Sequence, residues 1–261
     1  MRDALMRNRE ILETALAQSA LECGCAPEDF FAPENRAFLS RYEPRARRYL
    51  ETPAFCELVS YGGSAVASAA PEFLEEARAY ISGVPADRCF EPPRIHLLEE
   101  TLGKYGRSVC FLGEYFLPDM EALRPLSCPL PVRILGPEEL AGWYAPEWGM
   151  ALTLDCPEAD VLAAGAFDGD ALAGLAACSA DCAGMWQIGV DVAPPYRRQG
   201  IAAALVSRLA EEILSRGKVP FYCCAWSNLA SARTAYRAGF RPAWVQLTAK
   251  SAEFARRLAR G

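Results

Sequence analysis

The sequence predicts an α/β (α+β) protein in two parts, a smaller mixed region over 1–130 and a more regular one over 131–261. Three observations carry that expectation. The 261 residues are 52% hydrophobic and 23% charged, enough apolar material for a sizeable core and too little charge for a disordered chain. Residues 160–192 read as three strands separated by turn signals. Two amphipathic helical stretches, 200–217 and 227–239, then enclose the continuous apolar run VPFYCCAW, a buried strand by its pattern.

Taken in order, Leu5, Ile11, Leu12, Leu16 and Leu21 with charges between them predict an amphipathic helix over 3–22. CGCAPEDFFAPEN is a turn-rich break. FCELVSYGGSAVASAAP reads as strand, Gly-Gly turn, strand, and PEFLEEARAYISG as a helix with Pro71 near its start and Gly83 at its end. A short helix over IHLLEETLGKYG and a strand over SVCFLGEYFL follow. LRPLSCPLP, with three prolines in nine residues, reads as a linker. PVRIL is then a strand and GPEELAGWY opens as a short helix. Asp168-Gly169 and the Ala183-Gly184 region supply the turns of an antiparallel meander. Ile201, Leu205, Leu209 and Ile213 recur at spacing four, with Gly217 as the helix stop. Ser227 or Asn228 caps the next helix, Gly239 stops it, and RPAWVQLTA is a last strand.

Charge and cysteine usage exclude several classes. The net charge of −6 argues mildly against nucleic acid, which asks for a basic face. No apolar run reaches the ~20 residues that span a bilayer, and the charged start MRDALMRNRE is not a secretory signal. Eleven cysteines without a Cys-x-x-Cys pair, beside a single histidine, His96, argue against a zinc site. They read as reduced thiols of a cytoplasmic protein, mostly small core residues. The charge is also unevenly placed. Ten acids and no basic residue lie between Arg133 and Arg197, whereas Arg197 to the end holds 12 basic residues and three acids.

Pro194 and Pro195 cannot donate to a ladder, so the third meander strand stops at Val192 or Ala193. Tyr196-Arg197-Arg198-Gln199-Gly200 then enters a helix whose first turn, Ile201-Ala202-Ala203, is small and free of acids. Exposed N–H groups, the helix dipole and two arginines form an anion site, and Gly200 lets a phosphate approach closely. The pattern Val192-x-Pro194-x-Tyr196-Arg197-Arg198-x-Gly200-Ile201-Ala202 resembles motif A of the GNAT superfamily of N-acetyltransferases. The family core Arg/Gln-x-x-Gly-x-Gly/Ala is matched by Arg197-x-x-Gly200-x-Ala202. Asn228, Ser231, Tyr236 and Gly239-Phe240 resemble the second family signature, in the expected order. The resemblance covers residues 131–249. It implies a mixed, largely antiparallel twisted sheet flanked by helices, and acetyl-CoA as co-substrate with no metal.

It also implies roles. The strand Val190-Asp191-Val192 would pair with the pantetheine arm, with the Val190 N–H donating to the thioester carbonyl. The N–H groups from Arg197 through Arg198, Gln199, Gly200, Ile201 and Ala202 to Ala203 would hold the pyrophosphate. Asn228 and Ser231 would lie near the pantetheine, and Tyr236 would protonate the departing thiolate. The acid that many family members use to deprotonate the amine falls at Trp186, which is no acid. Glu147, Asp155 and Asp181 are the alternatives from neighbouring loops, as is proton loss to bulk water. The expected activity is transfer of acetyl to a primary amine, a small cationic molecule or a peptide amino group. The acid-rich segment before Arg197 favours a cation. The alternative is an acyl-CoA-binding sensor with little turnover. Residues 1–130 have no readable role beyond the option of docking a protein partner, and a homodimer is the alternative to a monomer.

Overall fold

The computed structural model describes residues 6–260. In chain order the elements are α1 (Asn8–Cys23), β1 (Arg36–Leu39), β2 (Cys56–Ser60), β3 (Ala65–Ala69), α2 (Leu74–Ile81), α3 (Pro92–Gly103) and β4 (Arg107–Pro118). They continue with β5 (Val132–Leu135), α4 (Pro137–Leu140), β6 (Asp160–Asp168), β7 (Ala171–Ser179), β8 (Met185–Val192) and α5 (Ile201–Ser215). β9 (Val219–Ala225), α6 (Leu229–Ala238), β10 (Phe240–Ser251) and α7 (Ala252–Leu258) complete the chain. The mixed α/β class with a mostly antiparallel sheet is therefore as the sequence predicts. Leu5, counted in the first expected helix, lies outside the described residues. β1 and α7 carry too few residues to give a periodic signal and were not expected.

The chain divides into two compact units, and they are interleaved. One comprises the stretch through Thr14 with Phe116–Pro242, the other Ala15–Tyr115 with Ala243 onward. A single cut at 130/131 does not reproduce this division, which falls inside α1, β4 and β10. The reason is packing. Phe116 is fully buried in the same core as Tyr222, Ala235 and Phe240. The proline-rich segment is not a free linker either: Leu123, Cys128 and Leu130 pack on that core, and the Ser207 hydroxyl donates to the Arg124 carbonyl at 2.6 Å.

In the first unit β5, β6, β7 and β8 are antiparallel neighbours in sequence order, and β9 runs parallel to β8. β7 is ALAGLAACS, almost all small. A Cβ at Gly174 would meet Ile201 Cγ2 at 2.9 Å, so the small face of β7 is what lets the start of α5 lie against the sheet. One face of the sheet joins Ile201, Leu205, Leu209 and Ile213 of α5 in a core. The other face packs Leu175 and Ala177 under Trp148, Ala151 and Leu152. In the second unit β1 is parallel to β3, β3 antiparallel to β2, and β2 antiparallel to β10. Its core is built from Phe55, Leu58, Phe73, Ile81, Leu98, Leu102 and Leu247.

Candidate active site

The site begins where β8 loses one neighbour. Its pairing with β7 continues through Gly174↔Val192, but its parallel ladder with β9 ends at Ile188↔Tyr222. Antiparallel partners alternate between those that exchange hydrogen bonds and those that do not. The Ala193 N–H donates to the Ala173 carbonyl at 2.9 Å. By that alternation the backbone groups of Asp191 and Gly189 also face β7, while those of Val190 and Val192 face the side where β9 has departed. The structure therefore brings Val190 and Val192 to the open edge. It does not bring Asp191, whose carboxylate instead accepts the N–H groups of Met150 and Ala151 at 2.8 and 2.9 Å.

The loop after β8 is fixed from several sides. Pro194–Tyr196 forms one 3₁₀ turn. The Tyr196 hydroxyl donates to Asp168 at 2.8 Å, a bond that raises the pKa of the Tyr196 phenol and ties the loop to the β6–β7 turn. Arg197 Nε donates to the Val192 carbonyl at 2.9 Å, and Gln199 Nε2 to the Pro195 carbonyl at 3.3 Å. Arg198 has φ 65° and Gly200 φ 87°, left-handed conformations that cost an ordinary side chain about 1 kcal/mol or more and glycine nothing. These turns aim the N–H groups of Arg198 through Ala203 outward at the start of α5. Among the described residues none of those groups donates to a backbone or side-chain acceptor, and the first helical bond is from the Ala204 N–H to the Gly200 carbonyl at 3.1 Å. The Arg197 N–H differs from the expectation: it is used within the 3₁₀ turn, donating to the Pro194 carbonyl at 3.3 Å.

A third guanidinium stands here that the sequence reading missed. A Cβ at Gly200 would lie 3.1 Å from Arg237 Nη2. Arg237 comes from the last turn of α6, and its signal was there in the second motif, directly after Tyr236. Arg197, Arg198 and Arg237 are exposed, and among the described residues none makes an ion pair. Open N–H donors, a helix N-terminus and unpaired guanidinium groups suit a phosphate ester. Among the described residues no cluster of metal-binding side chains occurs.

α6 supplies the remaining candidates. Asn228 caps it, its Oδ1 accepting the Ser231 N–H at 3.1 Å, which leaves the amide nitrogen of Asn228 as a donor. The Ser231 hydroxyl lies 2.7 Å from the Tyr222 hydroxyl. Burial pushes that phenol up to about 12, so it remains protonated and positions Ser231. Tyr236 is no core aromatic. It is 46% exposed and meets Phe116 edge to face at 5.7 Å. Among the described residues its hydroxyl has no hydrogen-bond partner.

The three acids considered as bases separate. Asp181 is buried, accepts the Ser179 hydroxyl at 2.9 Å and sits before Met185, at the far end of β8 from Val190. Asp155 is exposed. Glu147 is exposed within the 3₁₀ turn Pro146–Trp148, on the loop that Asp191 holds. Trp186 packs toward the α5 core. His96 lies exposed on α3, 3.3 Å from Glu100.

The family model for the acetyltransferase (GNAT) family matches residues 130–240. Solved structures similar to the chain include a GNAT acetyltransferase from Colwellia psychrerythraea, at 18% identity over 54% of this chain and 57% of that one, TM-score 0.41. A GCN5-related N-acetyltransferase-like protein from Streptococcus suis matches at 18% identity over 61% of this chain and 68% of that one, TM-score 0.45. The Salmonella typhimurium protein yncA, solved with its cofactor acetyl-CoA, matches at 17% identity over 48% of this chain and 95% of its own, TM-score 0.36. The chain thus spans little more than half of the Colwellia protein. No curated protein matches it. The matched segment, less than half of the chain, holds the meander, the β8–β9 opening, the arginine loop and α6, so the similarity to the GNAT acetyltransferase family lies where the candidate site lies.

Proposed function

We propose that the protein is an N-acetyltransferase that moves acetyl from acetyl-CoA to a primary amine by direct attack. The observation that carries this reading is the end of the β8–β9 ladder at Ile188↔Tyr222, with β8 still paired to β7 and the open N–H groups of α5 at its end. Val190 and Val192 then offer a strand edge to an extended pantetheine arm. The N–H groups of Arg198, Gln199, Gly200, Ile201, Ala202 and Ala203, with Arg197, Arg198 and Arg237, take the pyrophosphate. Asn228 and Ser231 face the arm.

The amine nitrogen, unprotonated, attacks the thioester carbonyl carbon. Negative charge gathers on the carbonyl oxygen, where the Val190 N–H donates to it. The carbon–sulfur bond breaks, and the Tyr236 hydroxyl gives its proton to the departing thiolate. Trp186 leaves no carboxylate at the expected base position, so the amine gives up its proton to water, with the exposed Glu147 on the loop that Asp191 holds as the candidate acid. Proximity supplies much of the rate without a dedicated base.

The acid-rich segment supports a cationic acceptor less broadly than its count suggests. Asp160 and Asp181 are buried, Asp168 holds Tyr196, Asp191 holds a loop, and Glu139 caps α4 while pairing with Arg133. Glu158 accepts the Cys156 thiol at 2.9 Å, and the exposed Glu138, Glu147, Asp155 and Asp170 remain for recognition. The test is release of the CoA thiol with a panel of polyamines, amino acids and aminoglycosides. Saturable release with at least one amine, cations preferred, is expected. Tight acetyl-CoA binding without release on any amine would contradict the enzyme and favour the sensor reading.

A further inference from the structure

Val190, the residue proposed to hold the thioester oxygen, is flanked by two residues that face the opposite side of β8. Both are covered by one loop. Gly189 has no side chain, and a Cβ there would collide with the Met150 carbonyl oxygen and stand 3.2 Å from Ala151 Cα. The Asp191 carboxylate takes the two N–H groups of that same segment, Met150 and Ala151, through a single oxygen. Two N–H donors on a carboxylate oxygen are charge-assisted bonds, among the stronger polar contacts a surface loop can have.

The rest of the loop is anchored as well. Trp148 and Leu152 are buried under the sheet. Thr153 donates its N–H and its hydroxyl to Asp160 at 2.8 and 2.9 Å, and Tyr144 donates to the same carboxylate at 3.1 Å. Between these anchors the side chain of Met150 is 74% exposed. A large apolar side chain is thus held out to solvent by a backbone that is pinned on both sides of it.

We infer that Asp191 is a positioning residue: with Gly189 it clamps Pro146–Leu152 over the strand that holds the thioester, making Met150 the wall between the reacting carbon and water on the acceptor side. The inference rests on the acetyltransferase reading and assigns to this chain what bounds the acceptor. The wall has two consequences. It excludes water as a competing nucleophile, and it restricts the amine to whatever passes Met150 and Glu147.

The test uses the full chain and three variants, Asp191→Ala, Asp191→Asn and Met150→Ala. Asparagine retains an oxygen that can accept both N–H groups, whereas alanine retains none. Calorimetric titration with acetyl-CoA, CoA release in the absence of any amine, and amide hydrogen exchange at Met150 and Ala151 are the readouts. In Asp191→Ala, exchange at the two amides is expected to rise at least tenfold while α5 amides stay protected. Amine-independent CoA release is expected to rise about fivefold or more, with the acetyl-CoA Kd within about threefold. Asp191→Asn restores most of both, and Met150→Ala raises CoA release without changing exchange. Unchanged release and unchanged exchange in Asp191→Ala, with acetyl-CoA still bound, would overturn the clamp alone. Failure of the unaltered protein to bind acetyl-CoA would overturn the acetyltransferase reading and the clamp with it.

Discussion

At Gly200 the backbone turns left-handed, and a side chain there would press on the Arg237 guanidinium. In the proposed reading that one position decides whether a phosphate can reach the N–H groups behind it. Tyr236 is the other residue on which the proposed chemistry turns. Its removal as a proton donor in Tyr236→Phe is expected to lower turnover by about 10²-fold while the acetyl-CoA Kd stays within about twofold, read by steady-state kinetics beside calorimetry. Both residues stand out in the sequence because a glycine at a helix start and a tyrosine at fixed spacing are local signals. Glu57 was not, since burial of a charged residue depends on what crosses it. It lies fully buried on β2 opposite Thr248 of β10. Burial, with Glu22 nearby, pushes its carboxyl from the ordinary 4.5 up to about 7, against the pull of Arg47, Lys250 and the Thr248 hydroxyl. The fold favours the neutral form, so this stability is complete below the ordinary value and is lost as pH rises through about 7. At about 1.4 kcal/mol per unit the loss is roughly 3 kcal/mol. Glu57→Gln is therefore expected to melt higher than the parent at pH 8 and close to it at pH 4.5, measured by scanning calorimetry.

Among the elements, β6 to β8, α5, β9 and α6 were readable from the chain, because each is bounded by a local stop. Asp168-Gly169, Pro194-Pro195, Gly217 and Gly239 fall where the sequence places them. The segment 141–159 was not readable beyond the start of α4. Its shape comes from Asp160, which turns back on Thr153 from the start of β6, and from Asp191, which reaches Ala151 from 40 residues away, and no periodicity announces such bonds. The ends of α6 show what local stops contribute. Asn228→Ala removes the cap on Ser231 and is expected to destabilise the protein by about 1 kcal/mol. Gly239→Ala is expected to cost more, at least 2 kcal/mol, because position 239 has φ 97° and a Cβ would lie 2.6 Å from Leu123 Cα. Urea melts of the two variants should fall in that order, and equal midpoints would contradict the packing of Leu123 under α6.

At the scale of the molecule, the proline-rich segment misled the reading of the domain boundary. Prolines mark an irregular backbone but say nothing of whether it packs, and here Leu123 and Leu130 reach the core. Interleaving has a direct consequence. A fragment of residues 131–261 lacks Phe116 and the core side of 123–130, so it is expected to show no cooperative thermal transition by circular dichroism, whereas the full chain does. A cooperative fragment would contradict the interleaved division. The charge boundary near Arg197 has also gained a physical basis: just beyond it Arg197 and Arg198, with Arg237 beside Gly200, make no ion pair among the described residues, and before it six of the ten acids are engaged in hydrogen bonds. The central claim is that the opening beside β8 and the start of α5 bind acetyl-CoA. Isothermal titration of the full chain and of Gly200→Glu with acetyl-CoA tests it most directly. The account predicts one site on the parent and a loss of at least about 30-fold in affinity in the variant, about 2 kcal/mol. Equal affinity in the two proteins, or no binding to either, would contradict it.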